Sequence, residues 1–131
     1  MAIFNKSNIN SSVSETTVIS AGARIEGQFY FDSMLHVDGE ISGVIHSQSV
    51  VVIGKTGIVK GQLNADKVVV NGIFDGELDA NNLEILMGGL VNGNIAIKGF
   101  AIENGGKFNG NSKIKDETLT LIENTASKTE E

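Results

Sequence analysis

One short motif, Gly-x-apolar-x-Gly-x-apolar, recurs along most of this chain and constrains its fold more than any other feature. Its copies begin, in order, at Ala23, Gly39, Gly57, Gly72, Gly89 and Gly106. The second small residue of each copy is always glycine, at positions separated by steps of 16, 18, 15, 17 and 17 residues. A period near 17 that recurs several times predicts a solenoid, in which each repeat forms one coil and packs against its neighbours.

An alternating apolar pair follows the glycine motif in each repeat, at offsets of seven and nine residues from the second glycine in most copies. After Gly43 these offsets select Val50 and Val52 as interior residues, whereas after Gly27 the pattern slips by one residue. Alternation with a period of two places such side chains on one face of a β-strand. Each repeat is therefore interpreted as a coil of three short faces that meet at bends.

Equivalent residues of successive coils should stack about 4.8 Å apart and form interior ladders. The predicted structural core consists of Ile25, Ile41, Val59, Phe74, Val91, Leu63, Leu78 and Ile95. The fold prediction is all-β, a single-domain parallel β-helix of about six coils over residues 17–122. Polar tails at 1–16 and 123–131 are expected to be disordered. A β-sandwich is the rival fold, but it needs turn signals every 8–12 residues and no repeated glycine unit.

The amino-acid composition excludes several classes of site and partner. The chain has no proline, which suits strands whose backbone N–H groups are committed to pairing, and no cysteine, which excludes disulfides and thiolate metal sites. A net charge of −6 argues against nucleic acid as a partner. No apolar run reaches the length of a transmembrane helix, and no signal peptide is predicted.

The stretch His36-Val-Asp-Gly39-Glu-Ile-Ser-Gly43-Val-Ile, followed by Val51-Val-Ile-Gly54-Lys-Thr-Gly57-Ile-Val-Lys-Gly61, closely resembles the bactofilins. The similarity spans about residues 17–111. It implies a right-handed β-helix that polymerises end to end without nucleotide. It further implies a non-enzymatic cytoplasmic scaffold at the inner face of the cytoplasmic membrane, which organises peptidoglycan remodelling and cell shape. The start Met-Ala-Ile-Phe resembles the members that set curvature in helical bacteria.

The resemblance also implies partners. The first is the chain itself, as a homopolymer. The second is a peptidoglycan hydrolase, of which an M23-type endopeptidase is the example, or its membrane-bound regulator. The third is the lipid of the inner membrane. Cofactors and metals are not expected.

Two groups of residues are candidates for these contacts. The polymerisation interface is predicted at Phe108, Leu119 and Leu121, because the last coil is incomplete and an open solenoid end templates pairing with another chain. A weak membrane or partner contact is predicted at Ile3, Phe4 and Lys6, since two apolar side chains and one cation precede the repeat.

The residues alone leave three alternative functions to consider: a metal site, an acyltransferase and an ice-binding surface. His36 and His46, the only histidines, could approach each other and hold a metal, although a solvent-facing strand position is the simpler interpretation. A hexapeptide-type β-helix acyltransferase is the alternative function, but steps of 15, 16 and 17 residues break a six-residue phase. An ice-binding plane would need a Thr-x-Thr ladder, and Thr118-Leu-Thr120 supplies one copy.

Overall fold

The computed structural model describes residues 15–115, which wind into a parallel β-solenoid of about six coils. All pairings among these residues are parallel, each coil with the next. The strands are β1 Thr16–Ile19, β2 Arg24–Phe31, β3 Met34–Val37, β4 Glu40–Ser47, β5 Val50–Ile53, β6 Ile58–Val70, β7 Ile73–Ile85, β8 Leu90–Ile97, β9 Gly99–Ile102 and β10 Lys107–Ile114. The fold prediction of a parallel β-helix is thus confirmed, and strands occupy most of the predicted domain.

Each coil has three faces. Face 1 carries the short strands β1, β3, β5 and β9, together with the carboxy-terminal ends of β6 and β7. The remaining strands, β2, β4, β6, β7, β8 and β10, each contain a bend glycine. The residues before this glycine form face 2 of the coil, and those after it form face 3. These glycines pair in register from coil to coil, as Gly27, Gly43, Gly61, Gly76, Gly93 and Gly110.

The column of bend glycines is required by how closely the coils approach each other. A Cβ placed on Gly43 would lie 1.9 Å from the carbonyl oxygen of Gly27, and one on Gly76 would lie 2.0 Å from that of Gly61. No side chain fits between backbones at that distance. The backbone also turns at these positions through φ values of 120° and 143°, which L-residues rarely adopt.

The core is a narrow channel of aliphatic side chains, with Phe74 as the largest fully buried residue. Seven of the eight predicted core residues lie there, with at most 2% of their surface exposed. The eighth, Ile25, is half-buried because it belongs to the first described coil, which has a neighbour on one side only. Close-packed β-branched and leucine side chains explain why a chain with 5% aromatic residues still forms a continuous interior.

The prediction that Val50 and Val52 point inward is wrong. Val51 and Ile53 are fully buried instead, and Val50 and Val52 are half-exposed. The reason is the corner between face 3 and face 1. Two residues, Gln48 and Ser49, separate the strands there, whereas later coils turn this corner at one residue that the pairing skips, such as Asp66. Each added corner residue shifts the interior positions by one.

Burial of Leu78 predicts a large loss of stability on Leu78→Asp. The side chain is 2% exposed, so the carboxylate would enter the core without a partner, at a cost of about 3–5 kcal/mol. We expect the variant to lose its β-sheet circular dichroism signal or its soluble expression. Asn94→Asp, an exposed change on the same face, is the control and should remain folded. Native stability in Leu78→Asp would contradict its place in the core.

Candidate assembly site

At the carboxy-terminal end of residues 15–115, the solenoid exposes its core. β9 pairs with β7 and β10 pairs with β8, and no described strand covers their outer edges. Phe100, Ile102 and Ile114 occupy positions that are interior in the preceding coils, yet they are 39%, 46% and 66% exposed. The last coil therefore presents apolar side chains together with an unpaired strand edge, which is the form of surface that templates another chain.

Phe108 lies within this open coil, in register with Val91 of the coil before. Its ring meets the ring of Phe100 edge to face, with centroids 5.6 Å apart, and its side chain is half-buried. Ser112 stands where the preceding coil has Ile95, so one apolar neighbour is missing beside it. The incomplete cover that the sequence predicts around Phe108 is present in the described residues.

The amino-terminal end forms a second, comparable surface. Ile19, Ile25, Phe29 and Phe31 pack against the core but remain half-buried, and the rings of Phe29 and Phe31 stack with centroids 6.2 Å apart. The assembly contact predicted from the sequence lies at the other end, and this second partly exposed end was not predicted. The available signal was the weaker first copy of the motif, which opens with Ala23 instead of glycine.

The remaining predicted contact residues lie outside the described part of the chain. These are Leu119 and Leu121 of the polymerisation interface, and Ile3, Phe4 and Lys6 of the membrane or partner contact. Their roles stay predictions. No helix within residues 15–115 has the length and apolarity needed to cross a membrane.

The two histidines lie on different faces of the solenoid. His36, on face 1, is within 3.0 Å of an oxygen of Asp38. His46, on face 3, stacks against Tyr30 with ring centroids 5.0 Å apart and lies 3.3 Å from the side-chain nitrogen of Asn64. No cluster of three potential metal ligands occurs among residues 15–115.

Face 3 also carries a shallow groove of about 450 Å³ near the carboxy-terminal end. Columns of polar side chains line it, and hydrogen bonds join neighbouring coils, from Gln62 to Glu77 at 3.4 Å and from Asn111 to Asn94 at 3.2 Å. These groups are exposed and pair with each other from coil to coil. They stabilise the stacking of coils on the outside, as the aliphatic ladders do within.

The fold and its open ends define a class of protein, a β-solenoid that can extend by adding further coils from other copies. Comparison with known proteins agrees with this description. The family model for bactofilins, described as polymer-forming cytoskeletal proteins, matches residues 17–113. The chain belongs to the bactofilin family, which displaces the hexapeptide-type acyltransferase as an explanation of the repeat.

A solved structure shows the same fold. The chain is similar to the bactofilin of Thermus thermophilus, determined by cryo-electron microscopy as double helical filaments, with a TM-score of 0.68 and 19% sequence identity. The match covers 76% of this chain and 99% of the Thermus chain. A comparison with curated proteins gives no match.

Proposed function

We propose that this chain is a non-enzymatic cytoskeletal scaffold whose copies stack end to end into filaments without nucleotide. The observation that carries the proposal is the open core at the carboxy-terminal end of the described residues, where no other strand within 15–115 covers Phe100, Phe108 and Ile114 as neighbouring coils cover the inner ones. A second copy placed on this end would bury these side chains and pair the free edge of β10. Leu119 and Leu121 are proposed to lie at the same contact.

The family assignment supports self-assembly, and the filament reported for the Thermus relative shows what a solenoid with this fold can form. On the same basis we infer that the filament serves cell shape, in the cytoplasm at the inner face of the membrane. There it would bring a peptidoglycan hydrolase, such as an M23-type endopeptidase, or its membrane-bound regulator, to selected sites.

This cellular role can be tested in the parent bacterium. A Phe108→Arg copy in place of the natural gene should keep the protein folded and abundant while cells lose their normal shape and their pattern of new wall insertion. Fluorescent labelling of new peptidoglycan would report the pattern. Normal shape in cells that demonstrably lack filaments would contradict a role for the polymer.

Membrane attachment is proposed through Ile3 and Phe4, with Lys6 favouring anionic lipid. Insertion of two apolar side chains is weak for one copy, but a filament presents many copies at once and gains by multivalency. Deletion of residues 2–10 should therefore reduce co-sedimentation of filaments with anionic vesicles by about tenfold or more, without preventing assembly.

Ile3→Asn with Phe4→Asn is the matched substitution and should behave like the deletion, whereas Asn5→Ser with Asn8→Ser should bind as the unchanged chain does. Equal binding by the deletion variant and the intact chain would remove the proposed lipid contact.

A further inference from the structure

The dipeptide Asn-Gly occurs four times in this chain, and its surroundings differ from copy to copy. The copies begin at Asn71, Asn92, Asn104 and Asn109. Asparagine in this dipeptide is prone to lose its side-chain amide, because glycine has no Cβ to shield the backbone nitrogen that attacks the side chain. The attack closes a ring through the backbone, so it needs an accessible side chain and a peptide that is free to rotate.

Two of the copies lie within strands. Asn92-Gly93 belongs to β8 and Asn109-Gly110 belongs to β10, and the two dipeptides pair with each other in register. A paired strand holds the backbone extended, so ring closure requires the strand to leave the ladder locally. For β8, which has β7 on one side and β10 on the other, this opening breaks contacts with both neighbouring coils.

The copy at Asn71 is enclosed by backbone at a corner between face 1 and face 2. Asn71 is half-buried, and its N–H donates to the carbonyl of Ile53 at 2.7 Å. A Cβ placed on Gly72 would lie 2.2 Å and 2.4 Å from the carbonyl oxygens of Gly54 and Gly57. Backbone packed this closely prevents the peptide after Asn71 from rotating freely.

Asn104-Gly105 is the copy that lies in an exposed turn. Residues 103–106 form a corner of the last described coil, closed by the N–H of Gly106, which donates to the carbonyl of Glu103 at 2.8 Å. Gly105 has a φ of 93°, which is typical of the third position of a type II turn. Asn104 and Gly105 are both exposed, and neither belongs to a strand.

The backbone N–H of Gly105 lacks the partner that the equivalent group has one coil earlier. In that coil, residues 86–89 form the corner, and the N–H of Gly88 donates to the carbonyl of Gly105 at 3.1 Å. The acceptor thus comes from the following coil. Within residues 15–115 no coil follows Gly105, and its N–H has no backbone acceptor there. Its nitrogen is therefore accessible for attack on the side chain of Asn104.

We propose that Asn104 is a site of spontaneous deamidation, and that a further coil stacked on this end suppresses the reaction. The nitrogen of Gly105 forms a bond to Cγ of Asn104 and gives up its proton, the bond from Cγ to Nδ2 breaks, and ammonia leaves. Water then opens the cyclic imide at either carbonyl and yields aspartate or isoaspartate. The site does not rest on the proposed function, whereas its suppression by a second copy does.

Both products alter the end of the solenoid. Each adds one negative charge, and isoaspartate also inserts an extra carbon atom into the main chain of a corner on which a following coil would stack. Copies that stay unassembled thus lose the ability to accept another copy, whereas copies inside a filament keep it.

Peptide mapping by mass spectrometry tests the site, because all four copies are compared in one sample. The full chain is stored in mildly alkaline buffer, below the concentration at which filaments form, and is sampled over weeks. We expect Asn104 to deamidate fastest, by about tenfold or more over Asn92, because the inner strand must first open locally. In denaturant the four rates should become similar. An Asn104 that is not the fastest copy in the folded chain would overturn the proposal.

The same mapping on assembled chain tests the suppression. In pelleted filaments we expect deamidation of Asn104 to slow by about fivefold or more, since the N–H of Gly105 then has an acceptor, while Asn92 keeps its rate. An unchanged rate at Asn104 in filaments would overturn the suppression. Failure to form filaments at any concentration would overturn the proposed function and the suppression with it, and the measurement on unassembled chain would still decide the site.

Asn104→Gln tests whether the modification limits assembly. Glutamine keeps the amide, but its longer side chain has to close a larger ring and reacts far more slowly. After equal storage, the unchanged chain should have a several-fold higher critical concentration by sedimentation, whereas Asn104→Gln should assemble as it did before storage. Asn92→Gln is the matched control and should lose assembly as the unchanged chain does. An equal loss in Asn104→Gln would overturn the link between this modification and assembly.

Discussion

Gly93→Ala is expected to destabilise the solenoid strongly, because Gly93 lies in the column of bend glycines between two paired coils. The new Cβ would lie 1.9 Å from the carbonyl oxygen of Gly76, and the backbone φ of 121° is strained for alanine. The φ strain alone costs about 1–3 kcal/mol, and separating two paired coils adds to it. For a domain of this size we expect the unfolding midpoint to fall by roughly 10 °C or more, measured by thermal circular dichroism.

Gly22→Ala isolates the contribution of the strained backbone. Gly22 has a φ of 92°, but a Cβ placed there meets no atom within 4 Å. Its midpoint should fall by less than that of Gly93→Ala, and the difference between the two variants measures the cost of forcing the coils apart. Equal effects of the two substitutions would show that coil-to-coil contact does not require the glycine column.

Phe108→Arg is expected to abolish filaments while leaving the protein folded. Phe108 is half-buried in the last coil, so its replacement leaves the inner coils intact. Burial of a phenylalanine against a second copy is worth roughly 1.5–3 kcal/mol, which corresponds to about 10- to 150-fold in affinity for each side chain buried. A symmetric contact buries Phe108 of both copies, so this free energy is gained twice. Sedimentation and electron microscopy should show monomers or small oligomers.

Asn92→Arg is the matched control, because Asn92 adjoins Val91 one coil earlier and points away from the core. This variant should assemble as the unchanged chain does. Long filaments of Phe108→Arg at the same protein concentration would place the end-to-end contact elsewhere, and the half-buried aromatic residues Phe29 and Phe31 at the amino-terminal end would be the next to test.

The coil period and most of the core could be predicted from the sequence because two independent constraints repeat together. A glycine column is needed wherever backbones approach within contact distance, and an apolar residue is needed on each side of it. Ile41 and Ile45 around Gly43 illustrate this arrangement, and both are fully buried. Because both constraints recur in every copy of the motif, aligning the copies was enough to predict which six glycines pair from coil to coil.

The corner lengths could not be predicted in the same way. In the run Val50-Val-Val-Ile53 both faces of the strand are apolar, so alternation does not tell which valines point inward. The deciding feature is a two-residue corner at Gln48 and Ser49, and polar residues occupy corners of either length. The buried Ser47, whose Oγ accepts a hydrogen bond from the N–H of Ser49 at 3.1 Å, holds this corner.

The exposure of apolar residues at the two ends of the solenoid could not be predicted from the sequence either. Burial of Ile25 depends on whether another coil precedes it, and burial of Ile102 depends on whether another coil follows it. The motif around these residues is the same as around buried residues of the inner coils, so the local sequence does not distinguish the two cases. Exposure of these positions is a property of where the stack ends. That is why the amino-terminal surface around Phe29 emerged only from the structure.

The central claim is that the solenoid extends from one copy into the next, and electron microscopy of the purified full chain without nucleotide tests it most directly. We expect filaments whose images show a layer spacing of about 4.8 Å along the axis, the separation of neighbouring strands. Six coils at that spacing give each copy an axial length of about 29 Å, so the subunit repeat should be a multiple of that length. Discrete monomers or closed trimers at every concentration and salt condition would contradict the account.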